Sequence, residues 1–406
     1  MALPAATLEP TPYHRALVDY LRTQEPDLWK WFASAQAKQE YTEALRMALL
    51  KTTYRLDAQG HPELAQAVEE VKARLGLDFP VTLYQAQQTN ELNAALYFIP
   101  GEGHVVLSGP LLGTLNPVEL RSVLGHELAH YLLWQQNGGE YLVADRLLQA
   151  IADDPRAAPS HGQSAHRYRL YTEIFADRGS LTAAQDLHSV VSGLVKVETG
   201  LNHVSGASYL KQAEEVFAHA NVKTEELSHP ETFIRARALC LWAERGAEVE
   251  DQVAAMIEGN GESLDLVGQG HWSRLVRRFL EQLLRPKWFQ TDAVLAHARM
   301  FFNDFVVAAT DDPELIAELE ADKKKCQEWL SYMLLDFVVV DPELEDLPVA
   351  AALEWARKLG IEALFEKLLV KELKLKARDL KKLKAHAERP GEGERKAEEE
   401  AEEEED

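Results

Sequence analysis

The 406-residue sequence predicts an α+β fold that is mostly α. Three observations carry this. Strand-like segments are confined to one window between Val81 and Ser108. Apolar residues recur at helical spacing through nearly all of the remainder. A strongly punctuated helix follows the strand window directly, from Asn116 onward.

Within the window, Val81-Thr82-Leu83-Tyr84 follows Pro80 and reads as a strand. Ala94 to Ile99 and His104 to Ser108 read as two more, joined by Pro100-Gly101-Glu102-Gly103, a hairpin signal. The expectation is a small antiparallel sheet. Residues 13 to 75 read as helices, with Leu17, Tyr20 and Leu21, then Leu45 and Leu49, then Leu64, Val68 and Val71 in register. For the helix after the sheet, Asn116 supplies an N-cap, Pro117 suits the first turn and Glu119 stands at the capping-box position. Its pattern runs to Asn137, and Gly138-Gly139 stops it. Helices resume near Gln163 after a Pro-, Ala- and Ser-rich loop. The organisation expected is an N-terminal helical segment (1–75), a catalytic domain (76–250), an all-α C-terminal domain (251–388) and an acidic tail (389–406). Lys371 to Lys384 reads as a basic helix.

The formal net charge is −23, and Glu392 to Asp406 alone hold ten acids against Arg395 and Lys396. A surface of that sign repels phosphate backbones, which argues against nucleic acid as a partner. Cys240 and Cys326 offer no paired spacing and read as buried thiols of a reducing compartment. The N-terminus has no basic start and no apolar run, so no signal peptide is expected. No apolar stretch is long enough for a membrane span. A cytoplasmic protein is the expectation, and oligomeric state is left open.

The chemistry concentrates in His126-Glu127-Leu128-Ala129-His130. On a helix, histidines four residues apart share a face one turn apart, so two imidazoles reach one ion. Zn2+ suits such nitrogen ligands, and Glu127 lies within reach of a water activated there. A third protein ligand is required. The metzincin spacing is excluded, because Leu133 and Gln136 occupy its glycine and histidine positions. Glu173 and Asp177 sit four apart on a helical stretch; Glu173 could ligate while Asp177 orients a ligating histidine. Read alone, that pair is first of all a solvated helix face. Glu140, Asp145, His161 and His166 remain rival ligands.

An ordered series of motifs now resembles a known family. It comprises Asn93-Ala94, Val105-Val106-Leu107, Gly109-Pro110-Leu111-Leu112, Glu119-Leu120, Val123 to His130, Glu173 to Arg178, Ser228-His229-Pro230 and Arg235. The series is similar to the gluzincin family of the heat-shock protease HtpX and the CAAX prenyl endopeptidases, over roughly residues 76 to 245. The resemblance implies a zincin-like catalytic domain with an HExxH active-site helix. It implies Glu173 as third zinc ligand, Asp177 as its supporting partner and His229 as oxyanion stabiliser. Asn93 would hydrogen-bond the substrate backbone, and the strand bearing Val105 and Val106 would pair with an extended substrate. Outside the resemblance, Asn93 reads as a turn residue, His229 as a helix start and His104 as an outward-facing hairpin residue. Two departures stand out: relatives carry transmembrane helices, and the acid usual before the final arginine is Ile234 here.

The expected function is a zinc metalloendopeptidase, a hydrolase acting on extended or unfolded polypeptide. The competing reading is a catalytically silent scaffold of the same fold that works through its C-terminal helices. An intact Glu127 favours the enzyme.

Overall fold

The computed structural model describes residues 8–34, 36–87, 89–152, 154–219, 231–258, 265–321, 323–374 and 377–387. The chain forms two compact units, residues 1–268 and 269–406.

The first unit opens with helices α1 (Pro12–Gln24), α2 (Pro26–Ala33) and α3 (Gln36–Thr52), then strand β1 (Thr53–Leu56) and α4 (Pro62–Leu75). Strands β2 (Val81–Ala86), β3 (Asn93–Ile99) and β4 (Glu102–Ser108) follow, then α5 (Leu111–Thr114), α6 (Pro117–Gln135), α7 (Glu140–Ala152) and α8 (Pro159–Ala184). Helices α9 (Leu187–Thr199), α10 (Gly206–His219), α11 (Thr232–Arg245) and α12 (Glu250–Glu258) complete it.

The sheet is mixed, not antiparallel as expected. Its order is β1-β2-β4-β3. β3 and β4 form the anticipated hairpin, but β4 inserts beside β2 in parallel, with Leu83 opposite Val105 and Tyr84 opposite Val106. A hairpin signal reports only on sequential neighbours, so it could not reveal this pairing. β4 shows the consequence: Gly103 through Leu107 are all buried, as in strands covered on both faces. β1, which pairs antiparallel with β2, lies inside a stretch expected to be helical.

The first 75 residues are not a separate segment. Tyr13 stacks on Tyr171 at 4.6 Å and donates to Asp265 Oδ2 at 2.6 Å. The unit also continues past the expected boundary at 250, because Val253, Ile257 and Leu266 are buried in the same core. Arg178 adds a forked bond to Glu250 at 2.8 and 3.1 Å.

The second unit contains α13 (Leu266–Leu283, which begins just ahead of it), α14 (Asp292–Phe301), α15 (Leu315–Ala321), α16 (Lys323–Val338), α17 (Leu347–Lys358), α18 (Glu362–Glu372) and α19 (Ala377–Ala387). Phe279, Leu334, Phe337, Leu353 and Phe365 centre its own core. The expected basic helix is divided between α18 and α19, with Lys374 in left-handed backbone between them. The acidic tail lies outside the described residues.

Candidate metal centre

The site is built on α6, and the local sequence explains why α6 starts where it does. Asn116 Oδ1 accepts from the Val118 and Glu119 amides at 2.9 and 3.0 Å, while Glu119 Oε2 accepts from the Asn116 amide at 2.8 Å. This reciprocal cap satisfies three backbone donors that a helix start otherwise leaves open. Glu119 is buried and also receives Lys196 Nζ at 2.8 Å and Ser192 Oγ at 2.7 Å, tying α6 to α9. The helix ends at Gln135, two residues before the expected stop, because Asn137 and Gly138 take left-handed backbone.

Helix α8 crosses α6 at very short range. A Cβ on Gly125 would lie 2.4 Å from Ala183 Cβ, and one on Gly179 would lie 2.2 Å from Ala129 Cβ. Only glycines permit this approach. It carries Glu173 to the histidine face of α6.

There His126 Nε2 lies 3.2 Å from His130 Nε2 and 3.4 Å from Glu173 Oε2, and His130 Nε2 lies 3.8 Å from Glu173 Oε1. Among the described residues, this is the one group of three or more His, Cys, Asp or Glu with donor atoms within 4.8 Å of one another. Donors at about 2.05 Å from a tetrahedral ion stand about 3.3 Å apart, so the two imidazoles and one carboxylate fit zinc in both kind and spacing.

The surroundings support that use. Asp177 Oδ1 lies 3.2 Å from His126 Nδ1. A carboxylate there can only accept, so a proton is held on Nδ1, and Nε2 is the nitrogen left to bind an ion at the cluster centre. Arg235 clamps Asp177 through Nε at 2.8 Å and Nη2 at 2.6 Å, and reaches Glu173 Oε2 at 3.4 Å. Burial opposes charge on His126, yet the hydrogen bonds it donates to the Asp177 and Glu173 carboxylates outweigh it and raise its pKa to about 10. That field attracts a cation. His130 is pushed down to about 4, by burial first and then by His126. Its Nδ1 is buried without a hydrogen-bond partner, and its ring lies against Trp134 at 5.7 Å. Burial pushes the Glu127 carboxyl up to about 7; His126 lowers it and Glu173 raises it further.

These groups line a cavity of about 750 Å3 together with Asn93, Ala94 and Leu96 of β3, Asp145 of α7 and Arg235 of α11. Asn93 thus stands at the cleft, on the edge strand. Val105 and Val106 do not. β4 is hydrogen-bonded on both sides, to β2 and to β3, so it has no free edge for a substrate. Val105 joins the core beneath α6, and Val106 packs with Leu49 and Tyr84. The edge strand at the cleft is β3. His104 is buried beside the Tyr84 hydroxyl at 3.1 Å, not turned outward. His229 lies outside the described residues.

None of the rival ligands joins the cluster. Glu140 pairs with Arg22 at 3.1 Å and His161 lies 3.9 Å from Glu25. Asp145 lines the cavity, its carboxyl pushed by burial up to about 6. One contributor escaped the sequence: Trp134 was unmarked, although its place four residues after His130 on one helix face was a usable signal. Arg235 was marked by the motif series, but its specific partner Asp177, 58 residues away, had no local signal.

Residues 58–151 match the model of Peptidase family M48, a span that includes His126, Glu127 and His130 and stops short of Glu173. The match supports that family and, with it, metallopeptidase activity. Searches of the curated proteins and of the solved structures give no match. Among the described residues, no helix is long and apolar enough to cross a membrane.

Proposed function

We propose that this protein is a zinc-dependent endopeptidase acting on extended or unfolded polypeptide. The observation that carries the reading is the triangle of His126, His130 and Glu173 donors, 3.2 to 3.8 Å apart, beside a buried Glu127 in a cleft bordered by an edge strand.

Zinc bound by His126, His130 and Glu173 supplies a Lewis acid that activates water and polarises the scissile carbonyl. The remaining work belongs to the chain. Glu127 takes the proton of the attacking water on its carboxylate and delivers it to the leaving amine nitrogen. A carboxyl held near neutrality by burial suits both directions of that transfer. Asp177 keeps the His126 proton on Nδ1, and Arg235 keeps Asp177 ionised; burial would raise that carboxyl, but the guanidinium and His126 bring it down. The outer edge of β3, entered at Asn93, offers backbone groups to an extended substrate. His229 takes the oxyanion-stabilising role on the resemblance of its motif alone, since preorganised donors stabilise charge that develops in the transition state.

The test is bound zinc and casein cleavage, for wild type and for Glu127→Gln. Zinc near one per chain in both, with cleavage lost in the variant, is the expected result. Wild-type protein that holds zinc and cleaves neither casein nor unfolded peptides overturns the reading.

A further inference from the structure

A second cavity, of about 380 Å3, lies next to the metal cleft and shares Trp134 with it. Its walls are aromatic. Phe79 stacks on Tyr131 at 3.9 Å, Phe98 lies 4.6 Å from Tyr131 and 6.0 Å from Trp134, and Phe32 and Val143 close the sides. Nothing in the proposed mechanism uses this space. It is far larger than one water, whose share of liquid volume is about 30 Å3. Its mostly apolar lining gives a water few of the polar partners it needs. Of the two donors in the aromatic wall, the Tyr131 hydroxyl is spent on the Ile99 carbonyl at 3.1 Å, and the Trp134 Nε1–H is buried without an acceptor.

The strand β3 connects the two cavities. Asn93, Ala94 and Leu96 line the metal cleft, whereas Phe98 and the following Pro100 and Gly101 line the aromatic one. The Leu96 backbone amide faces the Glu127 carboxylate, which marks the level of the reacting bond. Phe98 is two residues on, about 7 Å along a strand. A chain laid along the free edge of β3 therefore passes Glu127 and then the aromatic cavity. Its side chains alternate in direction, so one of them points at the cavity within a few residues of the bond being cut.

We propose that this cavity is the specificity pocket for a large apolar side chain, aromatic by preference, two to four residues from the scissile bond of the polypeptide substrate. The proposal rests on the peptidase reading for the position of that bond. The cavity's preference for an aromatic side chain stands apart from it. The occupant is a substrate side chain because the cavity continues the cleft along the one unpaired strand edge beside it. Asp78, Gln135 and Arg146 supply the polar part of a lining that is otherwise mostly aromatic and aliphatic.

Two measurements test it. Cleavage of a randomised decapeptide library by the zinc-loaded wild type is expected to show Phe, Tyr or Trp enriched at one fixed position, two to four residues from the cut. Fluorescence anisotropy of labelled decapeptides on zinc-loaded Glu127→Gln is expected to show the Phe peptide binding about tenfold to a hundredfold tighter than its Ala counterpart, the range for burying one such side chain. Val143→Phe fills the cavity and is expected to cut that preference below about threefold. Phe32→Ala enlarges it and shifts preference towards Trp, which covers the case in which Val143→Phe does not fold. A flat library profile, equal binding of the two peptides, or a preference unchanged in folded Val143→Phe overturns the proposal. Absence of all cleavage, with the Phe preference retained in binding, overturns the peptidase reading and leaves the cavity assignment standing.

Discussion

Replacing Gly179 by alanine tests whether the close crossing of α6 and α8 is what assembles the metal ligands. The added Cβ would sit 2.2 Å from Ala129 Cβ and 3.0 Å from the Gly125 carbonyl oxygen. Carbon atoms prefer about 3.5 to 4.0 Å, so the helices must part by roughly 1.5 Å. Neither partner can turn aside, since one is a Cβ fixed to backbone and the other is backbone. Two energies oppose each other. Alanine is about 1 kcal/mol better than glycine inside a helix. Overpacking a filled core costs about 1 to 3 kcal/mol, and a backbone clash belongs at the upper end. The net expectation is a loss of about 1 to 2 kcal/mol, a fall in Tm of about 2 to 8 °C for a unit this size. The effect on the metal is larger. Two ligands of one ion at about 2.1 Å cannot be more than about 4.2 Å apart. Glu173 already lies 3.4 and 3.8 Å from the histidine nitrogens, and a parting of that size carries it out of range. Thermal unfolding with and without zinc, together with metal content by mass spectrometry, reads both effects. The double variant Ala129→Gly, Gly179→Ala moves the methyl to the other helix and should restore most of the zinc. Gly179→Ala with wild-type Tm and full zinc occupancy refutes the reasoning.

Four further outcomes are expected. Glu173→Ala should lower zinc content sharply by equilibrium dialysis, and unchanged content moves the third ligand elsewhere. Asp177→Asn should weaken zinc affinity about 10- to 100-fold by loosening the His126 tautomer, measured by competition with a chelator; an unaltered affinity removes Asp177 from that role. His14 is buried with Nδ1 accepting from Thr11 and Nε2–H donating to Thr172 Oγ1 at 3.1 Å, and burial, with Arg178 and Arg15, lowers its pKa to about 3. The unfolded chain takes up that proton near pH 6.5, so the contribution is complete above 6.5 and is lost as pH falls towards 3, on the order of 4 to 5 kcal/mol in all. Urea denaturation should show a shallower loss between pH 6.5 and 4 for His14→Gln, and parallel curves count against it. Lys196→Met should cost about 3 to 5 kcal/mol by stranding buried Glu119, while the double variant with Glu119→Leu recovers most of it; a single-variant cost below about 1 kcal/mol would mean that the pair is screened.

What could be read from the sequence depended on how local its cause is. The α6 start was legible because every partner in its cap lies within three residues of Asn116. His126 and His130 were legible because helical spacing alone aims them together. Glu173 was only half legible: two carboxylates four residues apart read sooner as a wet helix face than as a ligand and its support. What separates the two is burial, and burial comes from the Gly125–Gly179 crossing, between residues 54 positions apart in the chain. The parallel β2–β4 pairing failed for the same reason. Ile234 and Arg235 show the rule at its sharpest. In sequence, Ile234 is a departure from the acid that the resemblance implies. In the structure it is fully buried in the core, and the next residue, about 100° further round the helix, points Arg235 at Asp177. With Asp177 and Glu173 already facing that guanidinium, an acid at 234 would have no cation to meet and a core to desolvate it. The departure is therefore consistent with the site rather than evidence against it. Ile234→Glu should lower stability by several kcal/mol while Arg235 stays on Asp177. A variant that unfolds with the wild-type midpoint would mean that the core tolerates a charge there.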